Sequence, residues 1–136
     1  MGIGVRSAIS FAGAKTNPPR RILIVDDDNE TRLLSVNALV DAGYDVESAR
    51  DGAAGWEALQ ANHYDLVITD NHMPRLTGME MIAKLRSGHM SVPVILATRT
   101  FPANIIAHNP WLRPDASLQR PCSQDDLVAT VKKILR

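Results

Sequence analysis

Short apolar runs alternate with longer amphipathic stretches along most of the chain. Three of the runs are rich in β-branched residues and suit one strand each: residues 21–25, 66–68 and 92–97. Uninterrupted runs of this kind are typical of strands that are buried on both faces of a sheet. Two weaker segments, residues 44–49 and 116–119, are interpreted as further strands. The pattern therefore predicts five strands.

The stretches between the runs predict helices with recognisable starts and stops. Asn29 or Asp28 is expected to cap the first helix, and Gly43 to end it. Ser123 is expected to cap the last one. Apolar residues recur at helical spacing, which predicts that each helix turns one face toward a core. These residues are Leu33, Val36, Leu39 and Val40; Trp56 and Leu59; Met79, Ile82 and Leu85; and Leu127, Val131, Ile134 and Leu135.

Strand and helix alternate five times along the chain. The spacing between strands is too long for hairpins and suits crossover connections. This order predicts right-handed β–α–β units, a parallel sheet and helices on both of its faces. The fold class is therefore α/β.

The segment between the fourth and fifth strands breaks this alternation. It contains three prolines, which leave no room for a full helix: Pro102, Pro110 and Pro114. Residues 103–108 are expected to form a turn or two. Three apolar side chains are expected to hold the segment against the sheet: Ile105, Ile106 and Trp111. The fourth helix is therefore predicted to be degraded.

Composition and charge exclude several classes of protein. The chain has 136 residues, which suits one domain. Its 15 basic and 15 acidic residues cancel, so no charge footprint indicates nucleic acid or anionic lipid as a partner. The single Cys122 rules out an internal disulfide and suits a reducing compartment. No apolar run approaches the roughly 18–20 residues that cross a bilayer.

The N-terminus is expected to be separate from the domain. Residues 1–19 are interpreted as a flexible leader that ends in Pro18 and Pro19, and the domain is expected to span residues 20–136. Arg6 and the mild apolar run at residues 8–14 faintly suggest a secretory signal. The run is short and rich in Gly, Ser and Ala, which favours the leader.

Residues with useful chemistry follow the predicted strands at one end. Asp26 and Asp27 follow the first strand, and Asp70 follows the third. Thr98 and Arg120 follow the fourth and the fifth. The C-terminal ends of parallel strands converge on the edge where open α/β sheets bind ligands. These five side chains are therefore expected to meet there.

Such a group of side chains suits phosphoryl transfer with a metal ion. Crowded carboxylates repel one another or have raised pKa values, and a divalent cation removes this cost. Oxygen ligands suit Mg²⁺ better than zinc, since no set of Cys and His residues competes for a softer metal. An aspartate beside the ion, a hydroxyl and a fixed cation can attack a phosphoryl group. Taken singly, each residue also has an explanation without a site. Asp26 and Asp27 would belong to a solvated turn, Thr98 would be a residue that favours strands, and Arg120 would be a surface charge.

These motifs resemble the response-regulator receiver domain of two-component signalling. The resemblance covers residues 20–136. It rests on Val25-Asp26-Asp27, on Asp70 with Met73, Pro74 and Gly78, on Thr98, and on the basic residue before Pro121. It implies a flavodoxin-like, doubly wound, five-stranded parallel sheet with the strand order 2-1-3-4-5. It also implies a cytoplasmic signalling protein that is not an enzyme in the ordinary sense.

The resemblance assigns a phosphoacceptor and its partners. Asp70 would accept the phosphoryl group, Thr98 would be the switch hydroxyl, and Arg120 would be the cation that binds the phosphoryl group. The donor would be a histidine kinase or a histidine phosphotransfer protein. The downstream protein partner stays unidentified, and no nucleic acid or membrane is implied.

The resemblance also assigns Mg²⁺ as the cofactor. Asp27, Asp70 and the backbone carbonyl of His72 would bind the ion directly. Asp26 would hold it through water.

Three positions depart from the family's pattern. Arg120 stands where lysine is usual, Arg99 stands where a small residue follows the switch hydroxyl, and Ser117 replaces an aromatic residue. Arg99 is expected either to shield Asp70, to add a second cation, or to point into solvent. The bond before Pro121 is expected to be cis, as in the family.

Two other functions are open at this stage. The departures favour a receiver-shaped interaction module that is not phosphorylated. A Mg²⁺-dependent phosphohydrolase with Asp26 as nucleophile is disfavoured, because Glu30 stands where that family has Thr or Val. The chain is also short for such an enzyme.

Overall fold

A computed structural model of the chain describes residues 18–136 and contains one sheet of five parallel strands. The strands are β1 (Arg21–Val25), β2 (Asp45–Ala49), β3 (Leu66–Thr69), β4 (Val94–Thr98) and β5 (Ala116–Gln119). Their order is β2-β1-β3-β4-β5. The flavodoxin-like α/β fold and the strand order 2-1-3-4-5 are confirmed.

Within residues 18–136, five helices connect or follow the strands. They are α1 (Asn29–Asp41), α2 (Gly52–Ala61), α3 (Gly78–Ser87), α4 (Ala103–His108) and α5 (Gln124–Ile134). A single 3₁₀ turn, Pro110–Leu112, lies between α4 and β5. The fourth helix has only six residues, as the prolines predict.

The three central strands are buried on both faces, which explains their uninterrupted apolar runs. Successive side chains of a strand point to opposite faces. In β1, Leu23 and Val25 join the core on the face covered by α2 and α3, and Ile22 and Ile24 join the core on the face covered by α1 and α5. The sheet therefore separates two apolar layers and holds the strand ends rigidly.

The helices begin at capping side chains close to the positions that the sequence predicts. Asp28, rather than Asn29, caps α1 and accepts a hydrogen bond from the Thr31 amide at 2.8 Å. Ser123 caps α5 as predicted. Gly43 follows α1 with a φ of 101°, a conformation that favours glycine.

The apolar stripe of α1 is narrower than its sequence spacing suggests. Leu39 is buried and Val36 is half-buried, whereas Leu33 is 60% exposed and Val40 is 51% exposed. Apolar residues occupy much of the circumference of α1, and only one side of a helix can face the sheet.

The predicted packing around α4 is wrong for two of its three side chains. Ile106 is buried as expected, but Ile105 is 46% exposed and Trp111 is 54% exposed. Leu112 takes the inward position that was predicted for Trp111. Adjacent residues of a helical turn point about 100° apart, so only one of each pair can face the sheet.

The predicted leader lies outside the described residues, apart from Pro18 and Pro19. Within residues 18–136, none of the helices has the length and apolar composition that a membrane span requires.

Candidate functional site

Three carboxylates meet at the C-terminal edge of the sheet. Asp26 and Asp27 follow β1, and Asp70 follows the adjacent strand β3, where its amide donates a hydrogen bond to the Val25 carbonyl at 3.1 Å. One oxygen from each of the three carboxylates lies within 4.8 Å of the others. Asp26 is buried, Asp70 is half-buried and Asp27 is exposed, so the cluster opens to solvent on one side.

Asp26 is the most constrained member of the cluster. Its side chain is almost fully buried, and its Oδ1 accepts a hydrogen bond from the Asp28 amide at 3.0 Å. Burial raises the pKa of Asp26 above its ordinary value, and the charges of Asp70 and Asp27 raise that pKa further. The Asp28 amide and the Arg120 guanidinium oppose this rise in pKa.

Arg120 spans the edge of the sheet from β5 to β1. Its Nε donates a hydrogen bond to the Ala97 carbonyl on β4 at 3.1 Å, and its Nη1 lies 3.2 Å from Oδ2 of Asp26. The Nη1 and Oδ2 atoms are at ion-pair distance but are not aligned for a hydrogen bond. Within residues 18–136, Arg120 forms its ion pair with Asp26 and none with Asp70. The Arg120–Pro121 bond is cis, as the resemblance implies.

Thr98 presents a buried hydroxyl at the same edge. It is the last residue of β4 and is 2% exposed. Two buried side-chain polar atoms in the described part of the chain have no hydrogen-bond partner, and they are Oγ1 of Thr98 and Oδ2 of Asp26. Buried polar atoms normally have a partner, and leaving one without costs about 1–3 kcal/mol. Both atoms therefore suit contact with a bound group.

The loop after β3 holds Asp70 in place. Oδ1 of Asp70 accepts hydrogen bonds from the amides of Asn71 at 2.6 Å and His72 at 3.4 Å. Gly78, the first residue of α3, packs so closely that a Cβ atom there would lie 2.3 Å from the Asp70 carbonyl oxygen. The imidazole of His72 is exposed, and the predicted role of its backbone carbonyl stays a prediction.

Two residues that support the site were missed by sequence reasoning. The buried Asn71 accepts a hydrogen bond from the Met79 amide at 3.0 Å and so joins the loop to α3. Arg32 donates to the Asp26 carbonyl oxygen at 2.8 Å. An Asn directly after a strand-end Asp, and an Arg in the first turn of the next helix, are the only signals for these contacts.

Arg99 lies at the rim of the site. Its side chain is exposed, and its carbonyl oxygen accepts a hydrogen bond from the Gln119 side chain at 2.6 Å. Arg99 and Arg120 line a cleft of about 370 Å³ between α1 and the start of α5. A cleft of about 410 Å³ at the opposite end of the strands contains none of the predicted site residues.

The donor atoms of the cluster fit a hard divalent cation. Its three ligand groups are all carboxylates, and Oδ2 of Asp26 is buried without a hydrogen-bond donor. Mg²⁺ prefers a small number of carboxylate oxygens and keeps several waters, which the open side of the cluster accommodates.

The chain is similar to known proteins in sequence and in structure. The family described as "Response regulator receiver domain" matches residues 22–132, which is well over half of the chain. The chain belongs to the response regulator receiver domain family. It is therefore a receiver domain of the two-component type, and the family resemblance predicted from the motifs is confirmed.

Individual relatives agree with this assignment. Response regulator MprA of Mycobacterium sp. (strain KMS) is 33% identical over 118 residues, which are 87% of this receiver chain and 51% of that protein. The chain spans about half the length of this curated relative.

Solved receiver structures superpose on most of the chain. Chemotaxis response regulator CheY4 of Vibrio cholerae has a TM-score of 0.77 and 27% identity, and the match covers 85% of this chain and 98% of that chain. Response regulator TrrA of Thermotoga maritima, solved in complex with Mg²⁺-BeF, has a TM-score of 0.75 and 30% identity. That match covers 85% of this chain and 98% of that chain.

Proposed function

We propose that this receiver domain, residues 20–136, accepts a phosphoryl group on Asp70 and changes its binding partner while it carries that group. The observation that carries the proposal is the buried Thr98 hydroxyl, which finds no hydrogen-bond partner among residues 18–136 and lies at the edge where Asp70 and the other two carboxylates meet. A phosphoryl oxygen on Asp70 would supply the missing partner. The cost of the unpaired hydroxyl in the unmodified state would then favour the switched state.

Asp70 is the best placed nucleophile of the cluster. The amides of Asn71 and His72 hold its Oδ1, and its Oδ2 accepts no hydrogen bond from residues 18–136. The free oxygen would attack phosphorus in line with the leaving group. A new bond would form between Asp70 and phosphorus, the bond from phosphorus to the donor nitrogen would break, and the donor histidine would keep the electron pair and take up a proton.

The carboxylates would hold Mg²⁺. Asp27 and Asp70 are the proposed direct ligands with the His72 carbonyl, and Asp26 is proposed to act through water. When bound, Mg²⁺ neutralises the charge of the cluster and stabilises the oxygens of the transferring phosphoryl group. The TrrA structure was solved in complex with Mg²⁺-BeF, which supports the same cofactor here.

The partner that donates the phosphoryl group would be a histidine kinase or a histidine phosphotransfer protein in the cytoplasm. Thr98 would draw the residues after β4 toward Asp70 as its hydroxyl bonds the phosphoryl group. Those residues lead into the short helix α4, so the surface around α4 would change for the next partner. Such a domain takes up one phosphoryl group per molecule and acts as a switch rather than as an enzyme.

The test uses acetyl phosphate as a small donor. The chain is incubated with acetyl phosphate and Mg²⁺, and its intact mass is measured beside samples with EDTA and with the Asp70→Asn variant. We expect one phosphoryl adduct in the wild type and none in either control. Mg²⁺ binding by calorimetry without an adduct in the wild type would overturn the proposal.

The alternative is a receiver-shaped interaction module that is not phosphorylated. The ion pair between Arg120 and Asp26 favours it, because this cation is engaged away from Asp70. The same mass measurement separates the two, since the interaction module predicts no adduct. The burial of Asp26 argues against the phosphohydrolase, whose nucleophile would have to reach its substrate.

A further inference from the structure

We infer that Arg120 is a competing counter-ion for the divalent-cation site: it neutralises Asp26 while no ion is bound and withdraws when one binds. The inference rests on the proposed function of the acidic cluster. It concerns the regulation of that cluster by an arginine at a position where the family usually has lysine.

The Arg120 side chain is packed into the site and contacts protein groups, unlike a surface charge. The side chain is 14% exposed, and it contacts an Asp26 side chain that is 2% exposed. Nε and Nη1 contact different strands at once, through the Ala97 carbonyl oxygen and Oδ2 of Asp26. A lysine has one nitrogen on a flexible stem, so it cannot reproduce this two-point arrangement.

Arg120 contacts the carboxylate oxygen of Asp26 that accepts no hydrogen bond from residues 18–136. Oδ1 of Asp26 accepts the Asp28 amide, whereas Oδ2 is buried without a hydrogen-bond donor and lies 3.2 Å from Nη1. A divalent cation or its bound water would use this oxygen. Two cations at one carboxylate oxygen repel each other, so each must weaken the binding of the other.

Arg120 has room to withdraw. Its side chain lines the cleft of about 370 Å³ between α1 and α5, together with Ser35, Leu34 and Leu127. A guanidinium released from Asp26 can turn there while Pro121 and the backbone of β5 stay in place. A phosphoryl group on Asp70 would then offer a new anionic partner. Metal binding and recognition of the phosphoryl group are thus coupled through one side chain.

The experiment measures Mg²⁺ binding to the full chain by isothermal titration calorimetry. The variants are Arg120→Lys, Arg120→Gln and the matched control Arg99→Gln, which removes the same charge from an exposed residue of the same cleft. We expect both Arg120 variants to bind Mg²⁺ roughly fivefold or more tightly than the wild type. The Arg99→Gln variant should bind Mg²⁺ within about twofold of the wild type, since the Arg99 side chain is exposed and its charge is screened by solvent and salt.

Arg120→Lys decides between direct competition and a general effect of charge, because it preserves the charge. Unchanged or weaker Mg²⁺ binding by both Arg120 variants would overturn the inference. Equal tightening in Arg99→Gln and Arg120→Gln, with none in Arg120→Lys, would overturn it too. If neither the wild type nor the variants bind Mg²⁺, the inference and the proposed metal site fall together. If Mg²⁺ binding follows the expected order but Asp70 gains no phosphoryl adduct, the proposed function alone fails.

Thermal unfolding supplies a second readout. In EDTA, Arg120→Gln should unfold at a lower temperature than the wild type, because the buried Asp26 carboxylate loses its counter-ion. Saturating Mg²⁺ should then raise its melting temperature by more than it raises that of the wild type. An equal rise in both proteins would contradict the inference.

Discussion

Single side chains at the edge of the sheet provide the reactive groups of the site, and the same side chains lower the stability of the fold. A buried Asp26 with a raised pKa and a buried Thr98 hydroxyl without a partner are unfavourable for folding taken alone. Local imperfections of this kind are expected where a protein binds or reacts.

Replacement of Asp70 should separate function from folding. Asp70→Asn is expected to abolish the phosphoryl adduct and to leave the melting temperature equal to or above that of the wild type, because it relieves charge crowding. Ile68→Ala, two residues earlier in β3 and fully buried, should instead cost about 2–5 kcal/mol in the free energy of unfolding. A loss of stability in Asp70→Asn as large as that of Ile68→Ala would contradict the prediction.

The raised pKa of Asp26 predicts how stability depends on pH. Folded Asp26 keeps its proton to a higher pH than in the unfolded chain, whose carboxyl has the ordinary pKa of 3.8. Its contribution to stability is therefore present below that pKa and is lost as pH rises through the folded pKa. In EDTA, the free energy of unfolding of Asp26→Asn relative to the wild type should rise across this range. Denaturant titrations between about pH 4 and pH 7 measure it, and a constant or falling difference would contradict the assignment.

The gathering of these side chains at one edge of the sheet could be predicted from the sequence, but their contacts could not. Asp26, Asp27, Asp70, Thr98 and Arg120 each follow a predicted strand, and parallel strands bring such positions to one edge. The ion pair of Arg120 with Asp26, rather than Asp70, depends on side-chain length and direction along an edge formed by four strands, from β5 to β1. Neither quantity is encoded in spacing along the chain.

Among the helices and turns, the segment around α4 shows what the hydrophobic pattern cannot predict, namely which of two adjacent apolar residues faces the core. Trp111 and Leu112 are neighbours in one 3₁₀ turn, and the pattern does not indicate which of them faces inward. The structure buries Leu112 and leaves Trp111 half exposed. Prolines predict where a helix stops, whereas the direction of the last turn is set by tertiary packing.

Truncation of these two neighbours should have unequal effects. Leu112→Ala is expected to lower the free energy of unfolding by about 2–5 kcal/mol, since it leaves a cavity against the core. Trp111→Ala should lower the free energy of unfolding by less than about 1 kcal/mol, because Trp111 is already half exposed. Chemical denaturation measures both, and a larger loss for Trp111→Ala would reverse the assignment of the inward side chain.

The start of α3 should tolerate no side chain at its first position. A Cβ atom on Gly78 would lie 2.3 Å from the Asp70 carbonyl oxygen, so Gly78→Ala must displace the backbone of the loop after β3. We expect a loss of about 1–3 kcal/mol in stability and a slower reaction with acetyl phosphate.

Gly88→Ala at the other end of α3 is the control for this substitution. Its Cβ atom would lie 3.3 Å from the Lys84 carbonyl oxygen, and the residue has an ordinary φ of −86°. The Gly88→Ala variant should react with acetyl phosphate at the wild-type rate. Equal rates in the two variants would show that Gly78 does not position Asp70.

At the scale of the whole molecule, the fold follows from burial. The central strands are covered on both faces, so most of their residues are apolar, and their short length and β-branched residues distinguish them from buried helices. The outer strands β2 and β5 are partly exposed and give a weaker pattern. On α1, apolar residues continue onto the exposed side, so spacing alone predicted too broad a buried face.

A crystal structure of the chain with Mg²⁺ and beryllofluoride is the sharpest test of the proposal that Asp70 accepts a phosphoryl group. We expect beryllofluoride joined to a carboxylate oxygen of Asp70, with the Thr98 hydroxyl on one fluorine atom. We also expect Mg²⁺ against Asp27, Asp70 and the His72 carbonyl, with Arg120 withdrawn from Asp26. Beryllofluoride on another residue, or none at Asp70 while Mg²⁺ is bound, would contradict the account.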